Sequence, residues 1–178
     1  MSAYEEIWGV AEDNFGLITS KKAVELGISR QCLRSMTDTG RLYHVGHGVY
    51  QVLHHVHGRL DPFAASVAMV GESAYLRGAS VVALLELCPT NPGVMYVGCD
   101  RRVRRRLPRG FRVKDRTASA ITEFEGCEGI RCQPLVEALR AARDEGAIEA
   151  DRIADAAEKA KEKGLLSDEE CAEFKSQS

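Results

Sequence analysis

Between Leu17 and Val52 the chain changes its hydrophobic period at a glycine, and few folds accept that change in so short a span. The run LITSKKAVELGISRQCLRSMTDTGRLYHVGHGVYQV first repeats at helical spacing and then at spacing two. Thr19-Ser20 offers a hydroxyl N-cap, and Ala23, Val24 and Leu26 supply an apolar stripe before Gly27. Gly27 takes a positive φ without Cβ strain, so it can end that helix and turn the chain. Ile28 then fills the angle between two helices. Ser29 is a second N-cap, opening a helix predicted over 29–38 that stops near Gly40. Within it Cys32, Leu33 and Met36 fall on one face and are expected in the core. Ser29, Arg30, Gln31 and Arg34 lie on the other face, with Thr37 one turn further.

After Gly40 the period is two. Leu42, Val45, Val49 and Val52 are the expected inward positions, and Gly46-His47-Gly48 supplies the reversal of a hairpin. Helix, glycine turn, helix and hairpin in that order is the plan of a winged helix-turn-helix. An α-helix fits the major groove of B-DNA, and Arg, Gln and Ser can read base edges there. The exposed face of the second helix has no acidic residue until Asp38, which favours a polyanionic partner. The hairpin would lay Arg41, Tyr43 and His47 on a phosphate backbone or at a minor groove. Thr19 and Lys21, at the start of the first helix, complete the N-terminal set expected on DNA. The competing reading is a protein-interaction module, in which Arg30 and Arg34 are merely solvated.

The segment FGLITSKKAVELGISRQCLRSMTDTGRLYHVGHGVYQV resembles the N-terminal winged-helix domain of AbiEi-type antitoxins. The matching positions are Gly16, Leu17, Ile18, Thr19, Ala23, Gly27, Ile28, Ser29, Leu33, Gly40, Leu42, Gly48 and Tyr50, with Met36 in an apolar position of the pattern. A second, looser likeness to the C-terminal region of that family runs through Leu76, Gly78, Ser80, Ala83, Leu84 and Leu85. The resemblance implies a winged helix that binds inverted repeats in its own promoter. It implies a remaining part that counters a nucleotidyltransferase-like toxin in a type IV toxin–antitoxin system, where direct contact with the toxin is not required.

Charge is distributed unevenly along the 178 residues, and the net −2 hides this. Residues 1–60 are net zero, residues 61–116 net +5 and residues 117–178 net −7. The cationic middle peaks at Arg101–Arg109, where six of nine residues are Arg and none is acidic. Strands are expected at 94–98 and 111–114, which makes this run the tip of a basic hairpin. Such a cluster repels itself and calls for an anionic partner, although charge runs are often only solvated loops. Arg104, Arg105 and Arg106 are therefore added to the expected DNA contacts. Phosphate contacts position a protein while base contacts specify, so this run would supply salt-sensitive affinity and the helix at 29–38 the reading.

The rest of the chain reads as ordinary elements. Residues 2–14 suit a helix capped by Ser2 and anchored by Ile7, Trp8 and Val10. Asp61 as N-cap with Pro62 opens a helix of small residues over 62–71. A further helix is predicted over 79–87, and short strands at 121–125 and 130–132. Pro134 opens a helix that Gly146 ends, an Ala-rich helix continues over 149–163, and Ser167 with Glu170 forms a capping box for the last one. The fold class expected is α+β: residues 1–58 a winged helix-turn-helix DNA-binding domain, 59–146 an α/β antitoxin-like domain, and 147–178 a C-terminal helical segment.

Chemistry-bearing motifs are sparse. The cysteines, at 32, 88, 99, 127, 132 and 171, form no C-x-x-C pair, and a reduced chain is expected. His54, His55 and His57 stand close together, but without a Cys or carboxylate at a supporting local spacing they read as surface histidines, and no metal site is expected. Asp13, Asp61, Asp100 and Glu123 are single carboxylates in unlike contexts. Gly78-Ala79-Ser80 lacks the frame of a nucleophile elbow. No catalytic residue and no cofactor is expected. No stretch is long and apolar enough for a membrane span, and MSAYEEIW has no signal-peptide character, so the expected location is cytoplasmic. The expected partner is double-stranded DNA, with an acidic protein bound by a non-enzymatic adaptor as the alternative.

Overall fold

The computed structural model describes residues 2–91, 93–114 and 125–175. The chain forms two compact units. The first comprises Met1–Glu72 and Arg104–Arg109, and the second Ser73–Val103 and Gly110–Ser178.

The first unit is a winged helix. Helix α1 spans Ala3–Glu12, and Ser2 caps it through a full capping box with Glu5. Strand β1 (Leu17–Thr19), helix α2 (Ser20–Glu25) and helix α3 (Arg30–Asp38) come next. Strands β2 (Leu42–Gly46) and β3 (Val49–Val52) form the wing hairpin. The three strands make an antiparallel sheet in the order β1-β3-β2. Gly27, at φ 78°, makes the turn between α2 and α3. One apolar cluster joins the layers: Ile7 and Ala11 from α1, Ile18 from β1, Ala23, Ile28, Leu33 and Met36 from the helix-turn-helix, and Leu42 and Val52 from the sheet. Each large side chain among them contributes about 1.5–3 kcal/mol by leaving water. Several expected core positions differ, and Trp8 and Cys32 are only half-buried. Val24 points outward and is 53% exposed, because a helix of six residues has one buried row, and Ala23 occupies it. On α1, Ala11 rather than Val10 is fully buried beside Ile7, one helical turn away.

Helix α4 (Asp61–Val70) belongs to this unit. Its Met69 sulfur occupies the space above Gly46 of β2, where a β-carbon would collide with it. Asp61, expected as the N-cap, is instead the first helical residue, with Leu60 at the cap and no side-chain capping bond.

Among the described residues of the second unit a five-stranded sheet runs in the order β6-β5-β4-β8-β7: β4 (Tyr75–Leu76), β5 (Met95–Gly98), β6 (Phe111–Lys114), β7 (Glu125–Cys127) and β8 (Ile130–Cys132). The other elements are α5 (Ala79–Leu84), α6 (Leu135–Asp144), α7 (Ala150–Glu162) and α8 (Asp168–Lys175), the last opened by the expected Ser167–Glu170 capping box. The expected strand at 121–125 lies, but for its last residue, outside the described residues. Arg77, nearly inaccessible, holds Glu145 with two hydrogen bonds of 2.6 and 2.8 Å, and Lys114 Nζ reaches the same carboxylate at 3.4 Å. This arrangement holds Glu145 below the usual carboxylate range, chiefly through the Arg77 hydrogen bond and against the penalty of burial.

The pairing of β5 with β6 corrects the sequence reading. The two strands are parallel, Met95 opposite Phe111 and Gly98 opposite Lys114, so the arginine run is a crossover and not a hairpin tip. Parallel neighbours need about a dozen connecting residues to bring the chain back to the starting end, and the segment from Cys99 to Gly110 supplies them. It does so without a helix. Pro108 and the self-repulsion of adjacent arginines both oppose one.

Candidate nucleic-acid interface

Helix α3 carries the first group. Its core row is Leu33 and Met36, and Arg30, Gln31 and Arg34 are all exposed away from it. Ser35 shares that exposed face. The sequence reading omitted it, although its place one turn after Gln31 marks it. Ser29 is the N-cap: its hydroxyl accepts from Cys32 N at 3.1 Å, so the first duty of that oxygen is to the helix. Thr37 likewise donates its hydroxyl to Leu33 O, 2.9 Å away.

Helix α2 carries the second. Thr19 is its N-cap and accepts from Lys22 N at 3.1 Å. Lys21 is exposed and pairs with Glu72 Oε2 at 2.6 Å. Both side chains are open to water, so this pair holds Lys21 weakly and an anion competes for it.

The wing is short and tied down. Its turn is His47-Gly48, and Gly48 O accepts from Ser20 N at 2.8 Å at the start of α2. A register shift between His44 and Gly46 leaves Val45 half-buried where alternation called for a buried residue. His47 is exposed at the turn, and Tyr43 is 50% exposed on β2. Arg41 stands over the ring of Tyr4 at 5.9 Å from its centroid, which holds the guanidinium at the base of the wing.

The arginine run is the last group. Arg104, Arg105 and Arg106 are exposed, and Arg105 Nη1 donates to Met69 O, the backbone of α4, at 3.2 Å. Its effect on the first unit is large. Met1–Glu72 holds six basic and eight acidic residues, and the four arginines of Arg104–Arg109 turn a net −2 into +2.

The histidines of the junction separate. The His54 ring lies against Trp8. His55 Nε2 and His57 Nδ1 instead approach Asp61 Oδ2, at 2.9 and 3.2 Å. The expectation that no carboxylate stands near them is thus corrected. Asp61 lies six residues from His55 and four from His57, and the turn ahead of α4 closes that gap. All six cysteines are free thiols. Cys127 and Cys132 share the β7–β8 hairpin but face Ile130 and Glu125 across it rather than each other.

Among the described residues no helix is long and apolar enough to cross a membrane. No curated protein matches the chain. Residues 10–53, which run from the end of α1 through the helix-turn-helix to the end of the wing, match the family model described as "Transcriptional regulator, AbiEi antitoxin". The winged helix of this chain is thus similar to that of the AbiEi-type antitoxins, a family described as transcriptional regulators.

Proposed function

We propose that the protein binds specific DNA in its own promoter and represses it, as the autoregulating antitoxin of a type IV toxin–antitoxin system. The observation that carries this reading is the exposed face of α3, where Arg30, Gln31, Arg34 and Ser35 stand clear of the core with no acid before Asp38. Recognition helices read bases with their N-terminal residues, and that is the end of α3 where these side chains lie. The wing adds Arg41, Tyr43 and His47. Lys21 and the cationic run at Arg104–Arg106 supply phosphate contacts that position without specifying. The operator is an inverted repeat, and the toxin that the antitoxin counters is nucleotidyltransferase-like and need not touch it. The role is non-enzymatic and cytoplasmic.

The test is binding of the full chain to the DNA just upstream of its own gene, at two salt concentrations, against a scrambled competitor of equal length. Binding that outlasts the higher salt and beats the competitor is the expected result. Equal loss on both sequences overturns sequence-specific regulation. It leaves a basic surface of the kind an adaptor for an acidic protein would use.

A further inference from the structure

We propose that His55, His57 and Asp61 form a site for a divalent transition-metal ion of the zinc class, in the turn between wing strand β3 and helix α4. Their donor atoms all lie within 4.8 Å of one another. In a tetrahedral zinc site, bond lengths near 2.0–2.2 Å place neighbouring donors about 3.3 Å apart. The His55 and His57 nitrogens stand 2.9 and 3.2 Å from Asp61 Oδ2. The two distances to Asp61 are thus within a few tenths of an ångström of that spacing, and the two imidazole nitrogens lie within 4.8 Å of each other.

The surroundings hold the donors in place. Gln51 Nε2 donates to Asp61 Oδ2 at 3.4 Å and to Phe15 O at 3.1 Å, so it orients the carboxylate from the sheet. The His55 ring lies where a β-carbon on Gly16 would be, and Gly16 takes φ 70°, so glycine there leaves the ring its place. Three nitrogens thus converge on one carboxylate oxygen. A cation among them would take the lone pairs of the two imidazoles and of the carboxylate. Each imidazole then turns a lone pair, not an N–H, toward the centre, and for a neutral ring the proton moves to its other nitrogen with none released. Asp61 supplies the negative charge.

Two imidazoles and one carboxylate select zinc, cobalt, nickel or copper over magnesium and calcium, which prefer all-oxygen shells. Three protein donors leave a fourth position to water. His57, with 69% of its side chain exposed, is the entry side, and His55 and Asp61 form the floor.

The experiment is a calorimetric titration of the untagged, metal-free full chain with Zn²⁺, repeated with Co²⁺ for its visible spectrum. One ion per chain at micromolar affinity is expected, with tetrahedral cobalt bands and no sulfur-to-cobalt charge-transfer band. His57→Gln, at an exposed position that keeps the fold, should weaken binding by about tenfold or more. His54→Gln and Cys88→Ser should leave it unchanged. No stoichiometric binding, binding that His57→Gln does not weaken, or equal loss in His54→Gln each overturns the site.

Discussion

The sulfur of Met69 sits where Gly46 lacks a β-carbon, so helix α4 packs onto the wing through a residue that has no side chain. Gly46→Ala should therefore destabilise the first unit by about 1–3 kcal/mol, the usual cost of overpacking. Met69→Ala should recover part of that loss in the double variant, because the two changes share one space. Urea unfolding of the four chains checks this. Strict additivity would mean that the wing and α4 do not press on each other there.

DNA contacts should divide by element. Arg30→Ala with Arg34→Ala should cost about 1–3 kcal/mol of discrimination per lost base contact. Arg104→Ala with Arg106→Ala should weaken cognate and random DNA alike and lower the salt slope by about one per arginine. Fluorescence anisotropy across a salt series separates the two. Equal losses from both pairs on both DNAs would remove the division.

Ser29→Ala should unfold α3 more than it alters reading. Loss of an N-cap costs about 1 kcal/mol, and the Ser29 oxygen already accepts from Cys32 N. Thermal melting and operator affinity, measured together, should show a lowered midpoint with cognate preference retained. A lost preference at unchanged stability would instead place that hydroxyl on a base.

The Arg77–Glu145 pair should give the second unit an acid limb. Glu145 is held below its ordinary value in the folded chain. Its contribution is therefore complete above the unfolded carboxylate range and is lost as pH falls through the folded value. Glu145→Gln leaves the buried Arg77 without its charge partner and should cost about 3–5 kcal/mol near neutrality. The variant should also flatten the fall in stability below the ordinary value of 4.5. An unchanged acid limb in denaturant titrations at several pH values would assign that limb to other carboxylates.

The winged helix was legible because its signals are local. Thr19 and Ser29 cap as their neighbours require, and Gly27 turns where the apolar stripe ends. The exposed face of α3 came from the same periodicity. The features that escaped are set by partners distant in sequence or space. Alternation could not show that β5 and β6 run parallel, since strands of either direction share one period. Nothing near Lys21 announced Glu72, and no motif joined Tyr4 to Arg41. The pairing of His55 and His57 with Asp61 needed the turn before α4, whose course depends on where that helix packs.

The first unit is discontinuous in sequence, since the chain leaves it at Glu72 and comes back for Arg104–Arg109. A gene fragment ending at codon 72 would encode the winged helix without the four arginines of Arg104–Arg109. Its net charge would have the sign that DNA repels. Recombination cannot move this unit whole with a single crossover. Any lineage that exchanges the segment downstream of the winged helix must carry the arginine crossover along or rebuild it.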